Sequence, residues 1–162
     1  MTEGTERQPG DGSGATNVRI STDRSDIDLD WLHAALSERA YWALGRTRQQ
    51  VEEAVAGSMC FAAFIGDRQV GFARVVTDGV TFGWICDVFV DEDHRGRGIG
   101  SLLMEAIVDQ PQIKGFRRLA LATRDAHELY RRFGFDRIVA PERWMERRQR
   151  EPERRQREPE RP

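Results

Sequence analysis

The sequence predicts an α/β (α+β) domain in which helices flank a mixed, mostly antiparallel central sheet that contains one βαβ unit. Three segments rich in β-branched and aromatic residues follow one another between residues 60 and 90. Gly66-Asp67 and Asp78-Gly79 separate them, and both pairs are typical of hairpin turns. A helical pattern and a short apolar segment, residues 119–123, come next. Because parallel strands need a crossover connection, this helix and segment predict the βαβ unit.

Composition indicates one domain with two low-complexity ends. The chain has 162 residues, of which 39% are hydrophobic and 32% charged, and its formal net charge is -2. Residues 1–17 are rich in glycine without any aromatic side chain, and residues 146–162 consist mainly of Arg, Glu and Pro. Neither end has enough apolar surface to offset the entropy of ordering it. We therefore expect a disordered N-terminal segment (1–17), a folded domain (18–145) and a charged tail (146–162).

Charge, hydropathy and cysteine usage exclude several classes of function. The body of the chain is mildly acidic, whereas a nucleic-acid-binding domain is strongly basic. The longest apolar run, residues 59–65, is far shorter than the roughly 20 residues of a membrane-spanning helix. Cys60 and Cys86 lie in strand-like segments, which suits reduced thiols. No secretory signal pattern is present, so the sequence predicts a cytoplasmic protein with no membrane or nucleic-acid partner.

Each secondary-structure element has its own local signal. Apolar and polar side chains alternate over residues 18–21, which predicts a first strand. Asp28 can cap a first helix. Thr47 and Gln50 have capping-box spacing at the start of a second helix, which ends at Gly57. The three central strands are predicted over residues 60–65, 69–77 and 81–90. The next helix ends before Pro111, and its apolar face holds Leu102, Leu103, Ala106 and Ile107. A last helix is predicted over residues 126–133, and residues 135–139 with 143–145 are expected to close the sheet as a hairpin.

The segment Arg95-Gly-Arg-Gly-Ile-Gly-Ser101 lies between the third central strand and its helix. Glycines in such a turn let consecutive main-chain N-H groups converge on an anion, and the helix N-terminus adds further donors. The segment lacks the Lys-Ser/Thr pair of a P-loop and the G-x-G-x-x-G spacing of a dinucleotide site. A pyrophosphate would match such a site, and a glycine-rich turn without any ligand is an equal alternative on this segment alone.

Two motifs carry a resemblance to a known family. Residues 85–104 include an Arg/Gln-x-x-Gly-x-Gly/Ala signature as Arg95, Gly98 and Gly100, and residues 123–135 are similar to an Asn-x-x-Ala-x-x-Leu-Tyr-x-x-x-Gly-Phe segment. Both motifs resemble those of the GNAT superfamily of acetyl-CoA-dependent N-acetyltransferases, and the order of predicted elements agrees with that fold. The motifs cover about a third of the chain. Thr123 departs from the family pattern, which usually has Asn there.

The resemblance implies an acyl-CoA-dependent N-acyltransferase that transfers an acetyl group from acetyl-CoA to a primary amine, by direct attack through a tetrahedral intermediate. The pyrophosphate would lie on the amides of residues 95–101 and the pantetheine arm along residues 87–90, with an oxyanion contact from the main-chain N-H near Phe89. The implied cofactor-binding residues are Val88, Phe89, Val90, Arg95, Gly96, Arg97, Gly98, Ile99, Gly100, Ser101, Thr123 and Ala126.

Asp87 and Tyr130 are the candidate catalytic residues. An amine must lose a proton before it attacks, and Asp87, a carboxylate in an otherwise apolar strand, is the first candidate base. Strict strand alternation would place it opposite to Cys86 and Val88. A counter-ion for the amine and a structural carboxylate are the alternatives. Tyr130 stands where many family members have the Tyr that protonates the leaving thiolate, and a packing role is its alternative.

The acceptor and the partners stay open. Trp42, Tyr41, Trp84 and Arg74 are candidates to line an acceptor pocket. A small-molecule amine is preferred because no recognition domain is appended, with a protein amine as the alternative. The histidines have no ligand partners at metal-site spacing, so no metal is predicted. A non-catalytic acyl-CoA-binding sensor and an adaptor acting through the charged tail are the rival functions, and both a monomer and a homodimer are compatible with the sequence.

Overall fold

One five-stranded sheet organises the chain in the computed structural model, which describes residues 17–147. Its strands are β1 Val18–Ser21, β2 Met59–Ile65, β3 Arg68–Thr77, β4 Phe82–Val90 and β5 Arg118–Leu121, in that spatial order. The first four strands pair antiparallel, and β4 pairs parallel with β5. The predicted mixed, mostly antiparallel sheet with one βαβ unit is therefore confirmed. The predicted N-terminal segment and tail lie almost wholly outside the described residues.

Five helices flank the sheet within the described residues. They are α1 Leu29–Ala34, which continues as a π-helical turn over Ala35–Arg39, α2 Arg48–Ala56, α3 Ile99–Asp109, α4 Pro111–Lys114 and α5 His127–Arg131. Asp28 caps α1 by accepting the Trp31 N-H, and both bonds of the predicted capping box join Thr47 and Gln50 at α2. In the part of the chain that the structure describes, no helix is long and apolar enough to cross a membrane.

The sheet is buried on both faces, which explains why its strands are almost continuously apolar. One face packs against α1 and α2 around Leu32, Leu36, Phe64, Phe72 and Phe89. The other packs against α3 and α5 around Phe61, Ile85, Leu103, Met104 and Ile107. Each of these side chains contributes about 1.5–3 kcal/mol through burial.

A β-bulge in β4 breaks the alternation that the sequence predicts. Phe72 pairs with Phe89 and Arg74 with Cys86, so two residues of β4 oppose one residue of β3. Asp87, one of these two residues, has a φ of 53°, the left-handed region that non-glycine residues seldom adopt. The prediction that Asp87 faces away from Cys86 is wrong, because the bulge turns its carboxylate to Arg74, which is directly opposite Cys86.

The predicted C-terminal hairpin is also wrong. Among the described residues, no strand follows β5, and residues 141–143 form a 3-10 turn that starts at Pro141. Ala140 has a φ of 59°, and Pro141 lacks an N-H for a ladder. Val139 and Met145 are 91% and 97% exposed, so little apolar burial is available to order a strand here. The last helix is likewise shorter than predicted, and the short α4 was not predicted.

Candidate active site

A cleft opens where β4 and β5 separate. The two strands pair only from Phe82 to Ile85 of β4, and no described strand covers that edge of β4 beyond Ile85. The cleft has a volume of about 270 Å³. Its lining, here called the β4–β5 cleft, comprises Tyr41, Trp42, Trp84, Ile85, Cys86, Asp87, Val88, Ala122, Thr123, Asp125, Ala126 and Tyr130. Residues from the α1–α2 connection, from β4 and from α5 therefore meet at one place.

A second pocket lies at the end of β4, against the glycine loop. It has a volume of about 420 Å³, and its lining, here called the loop pocket, comprises Val90, His94, Arg95, Gly96, Gly98, Ile99, Gly100, Ser101, Leu129 and Arg132. Gly96 and Gly98 have φ values of 75° and 79°, and a Cβ at either would meet no heavy atom within 4 Å. Backbone conformation, not crowding, therefore requires glycine at these two positions.

The groups around the loop pocket are suited to an anion. Gly98 is the N-cap of α3, and no described side chain caps this helix, so the first N-H groups of α3 are free to bind a ligand. Arg132 of α5 donates to the Ser101 hydroxyl at 2.8 Å and brings a second guanidinium to the pocket beside Arg95. These groups fit the pyrophosphate of acetyl-CoA, and the uncovered edge of β4 leads from the loop pocket to the β4–β5 cleft.

The buried carboxylate of Asp87 lies at the centre of a polar cluster, here called the Asp87 cluster, formed with Trp42, Arg46 and Arg74. Asp87 is only 4% exposed. Its Oδ2 accepts from Arg74 Nε at 2.6 Å and Arg46 Nη1 at 2.7 Å, and its Oδ1 accepts from Trp42 Nε1 at 3.1 Å. Burial by itself would raise the pKa of Asp87, but the bonds and charges of Arg46 and Arg74 outweigh it and hold that pKa below its ordinary value. The carboxylate is therefore ionised and fully paired.

Tyr130 lies on α5 with its ring packed edge-to-face on Phe135, at 6.1 Å between ring centroids. The Tyr130 side chain lines the β4–β5 cleft. No described residue forms a hydrogen bond with its hydroxyl. Burial, and to a smaller extent Tyr41 and Asp125, raise the pKa of Tyr130 to about 12. The phenol therefore keeps its proton at neutral pH.

Thr123 has a structural contact of its own. Its hydroxyl oxygen accepts the Ala126 N-H at 3.0 Å, immediately before α5 begins. Because a hydroxyl both donates and accepts, its proton remains available toward the cleft, which Thr123 lines. Thr123 thus takes part in starting the helix that carries Tyr130.

The structure brings most of the predicted site residues together. Tyr130, Asp87, Val88, Thr123 and Ala126 line the cleft, and the loop pocket holds the predicted Val90 and all the predicted residues of the 95–101 loop except Arg97. The Phe89 side chain packs on the face of the sheet that α1 and α2 cover, away from Tyr130, so only the main chain of Phe89 can contribute to the cleft. Arg74 contacts Asp87 and Ser58 and is not part of the lining. Sequence reasoning missed Arg46, which binds Asp87, and Arg132, which lines the loop pocket. The one available signal for Arg132 was its spacing, three residues after Leu129 on a predicted helix, which places both side chains on the same face.

Two further clefts of about 220 Å³ each lie along β5 and the segment after α5. The first contains neither a residue of the glycine loop nor one of the Asp87 cluster, and the second shares Tyr130 with the β4–β5 cleft. Across residues 17–147, no three His, Cys, Asp or Glu side chains are grouped as a metal ion would require.

Comparisons with known proteins agree with this geometry. The Acetyltransferase (GNAT) family matches residues 24–135. FG08082 of Gibberella zeae, named as an acetyltransferase, is 31% identical over 134 residues, covering 68% of this chain and 74% of that protein. A solved structure from Xanthomonas campestris pv. campestris, assigned to the GNAT family, is 44% identical with a TM-score of 0.80, covering 82% of this chain and 93% of that one. A GNAT acetyltransferase of Streptococcus pneumoniae TIGR4 is 27% identical with a TM-score of 0.61, covering 83% and 98%. This chain belongs to the acetyltransferase (GNAT) family and is an acyl-CoA-dependent N-acetyltransferase.

Proposed function

We propose that the protein acetylates a primary amine of a small molecule in the β4–β5 cleft, with acetyl-CoA bound between the loop pocket and that cleft. The observation that carries the proposal is the separation of β4 from β5 after Ile85. It leaves an uncovered strand edge with an anion-binding loop at one end and the Tyr130 phenol at the other. Acetyl-CoA supplies the acetyl group as a reactive thioester.

The main chain of the loop and of β4 performs the binding. The N-H groups at the start of α3 hold the pyrophosphate, with Arg95 and Arg132 adding charge-assisted bonds. A Cβ at Gly100 would contact Leu129 at 3.5 Å, an ordinary distance, so packing does not require glycine there. Glycine at this position leaves the backbone open to close approach by a phosphate. Main-chain groups of residues 87–90 pair with the pantetheine arm as an added strand would, and an N-H near Phe89 stabilises the developing oxyanion.

Tyr130 and Asp87 have different tasks. The Tyr130 phenol enters each turnover protonated and donates a hydrogen bond from Oη to the leaving sulfur. Its raised pKa lies well above the roughly 8.5 of a thiol, so stabilising the thiolate contributes more than early proton transfer. Asp87 is a poor base because its pKa is lowered and its lone pairs are engaged, so we assign it the task of positioning Trp42 and Arg46 against β4. The amine loses its proton to solvent at the cleft mouth.

The first experiment compares ligands by thermal stability and then measures turnover. At a concentration about a hundred times its Kd, a specific ligand adds about 2.7 kcal/mol of stability. We expect acetyl-CoA and CoA to raise the Tm and NAD to leave it unchanged. We further expect free CoA thiol to be released from acetyl-CoA only when an amine is added. A Tm rise without any amine-dependent thiol release would indicate a non-catalytic acyl-CoA-binding module. No Tm rise with either acetyl-CoA or CoA would contradict the proposed cofactor site.

Arg132 is predicted to bind the cofactor, although it stands at an unspecified position of the sequence motif over residues 123–135. Arg132→Ala is expected to raise the Kd for CoA about five- to tenfold, because it removes one charge-assisted contact worth about 1–1.4 kcal/mol. Isothermal titration calorimetry measures the change. Arg131→Ala is the matched control on the same helix, since Arg131 pairs with Glu128 and lies outside the loop pocket. Equal Kd values for the two variants would contradict a role for Arg132.

A further inference from the structure

We propose that the acceptor is a monoamine with an uncharged, apolar body, and that polyamines and amino carboxylates are poor acceptors. This inference rests on the proposed function, because it concerns the same β4–β5 cleft. It follows from the charges that the cleft offers and from the side chains that form its walls.

The charged groups at the cleft are already paired. Among the described residues, the lining includes two carboxylates and no Lys or Arg. Asp87 is engaged by two arginines and an indole, and Asp125 lies 3.6 Å from the Arg124 guanidinium. Arg124 in turn stacks on the Tyr41 ring at 3.8 Å. Both carboxylates of the described lining therefore already have an arginine partner, and that lining includes no cationic side chain.

This pairing discriminates between classes of amine. The reacting amine must be neutral when it attacks, so a monoamine leaves its only charge in solvent. A polyamine keeps at least one further ammonium group, which would be desolvated without a carboxylate partner. An amino carboxylate brings an anion that finds no free cation in the lining. Both classes bear a desolvation cost that an uncharged body avoids.

The cleft walls favour an apolar body. Tyr41 and Trp42 pack edge-to-face at 4.9 Å between ring centroids, yet they are 44% and 43% exposed. Trp84, Ile85 and Val88 extend the same lining along β4. Exposed apolar surface at the mouth of a cleft is stabilised when an apolar ligand covers it.

The test measures CoA release by the full chain with 2-phenylethylamine, spermidine and phenylalanine as acceptors. We expect kcat/KM for 2-phenylethylamine to exceed that for each of the others at least tenfold. Tyr41→Ala is expected to lower kcat/KM for 2-phenylethylamine at least fivefold while KM for acetyl-CoA stays within twofold. Val80→Ala, at an exposed apolar residue outside both pockets, is the control and is expected to change nothing.

The outcomes separate this inference from the proposed function. A preference for spermidine or phenylalanine would overturn the acceptor class and leave acetyl transfer intact. If Tyr41→Ala left kcat/KM for 2-phenylethylamine unchanged, the acceptor class would also be overturned, because the apolar wall would then have no part in recognition. No release with any amine, although acetyl-CoA raises the Tm, would overturn the proposed transfer itself and the acceptor class with it.

Discussion

Tyr130→Phe is expected to lower kcat about a hundredfold while leaving the Kd for CoA within twofold. The substitution removes the Oη–H donor that stabilises the leaving sulfur, and loss of one such donor to a developing negative charge typically lowers the rate by roughly 10²–10³. The ring that packs on Phe135 is retained, and no described residue bonds the hydroxyl, so the free energy of unfolding is expected to change by less than about 1 kcal/mol. Steady-state CoA release and urea denaturation measure the two quantities.

Tyr41→Phe is the matched control for this prediction. Tyr41 also lines the β4–β5 cleft, but it is exposed and belongs to the α1–α2 connection. Its phenol is not needed for the proposed chemistry, so kcat is expected to stay within twofold. If Tyr130→Phe retained full activity, Tyr130 would have only a packing role and the thiolate would be stabilised by other groups.

Asp87→Asn is expected to lower the free energy of unfolding by about 3 kcal/mol, because it leaves two partly buried guanidinium groups without their counter-ion. Asn is the most conservative choice, since it tolerates the left-handed conformation of the bulge and can still accept from Trp42. Asp26→Asn, at an exposed carboxylate paired with Arg19, is the control and is expected to lower the free energy of unfolding much less, because exposed ion pairs contribute little. Urea denaturation at neutral pH compares the three proteins.

The stabilisation by Asp87 has a defined pH dependence. Its pKa is lower in the folded protein than in the unfolded chain, so the stabilisation is complete above the unfolded value of about 3.9. It is lost as the pH falls through the lower folded value. The stability difference between wild type and Asp87→Asn is therefore expected to be constant from about pH 5 to 8 and to shrink below about pH 4. A difference that changes near neutral pH would contradict this assignment.

Kinetics of the same variant separate positioning from base catalysis. If Asp87 positions Trp42 and Arg46, Asp87→Asn is expected to raise KM for the amine and to keep kcat within about tenfold. If Asp87 removes the amine proton, kcat falls by about a hundredfold or more. KM for acetyl-CoA is the internal control, because residue 87 is proposed to meet the pantetheine arm only through its main chain, which the substitution keeps, and the loop pocket contains no member of the Asp87 cluster.

Local signals predicted most of the fold. The Asp28 cap, the capping box of Thr47 and Gln50 and the turn glycines act within a few residues, so their effect can be read without knowing the rest of the chain. The C-terminal hairpin failed because its apolar pattern did not reveal the left-handed conformation of Ala140 or the 3-10 turn that starts at Pro141.

The sequence by itself predicted the order of β1 to β5 and of the longer helices, placed the glycine loop before α3, and named Asp87 and Tyr130 as candidates. The tertiary structure alone decided what those residues contact. Asp87 meets Arg46 and Trp42 from 41 and 45 residues away, and Arg132 reaches Ser101 across 31 residues. Such contacts depend on the bulge in β4 and on helices packed over long sequence separations. The physical state of Asp87, an ionised and saturated carboxylate instead of a free base, could therefore be known only from the folded chain.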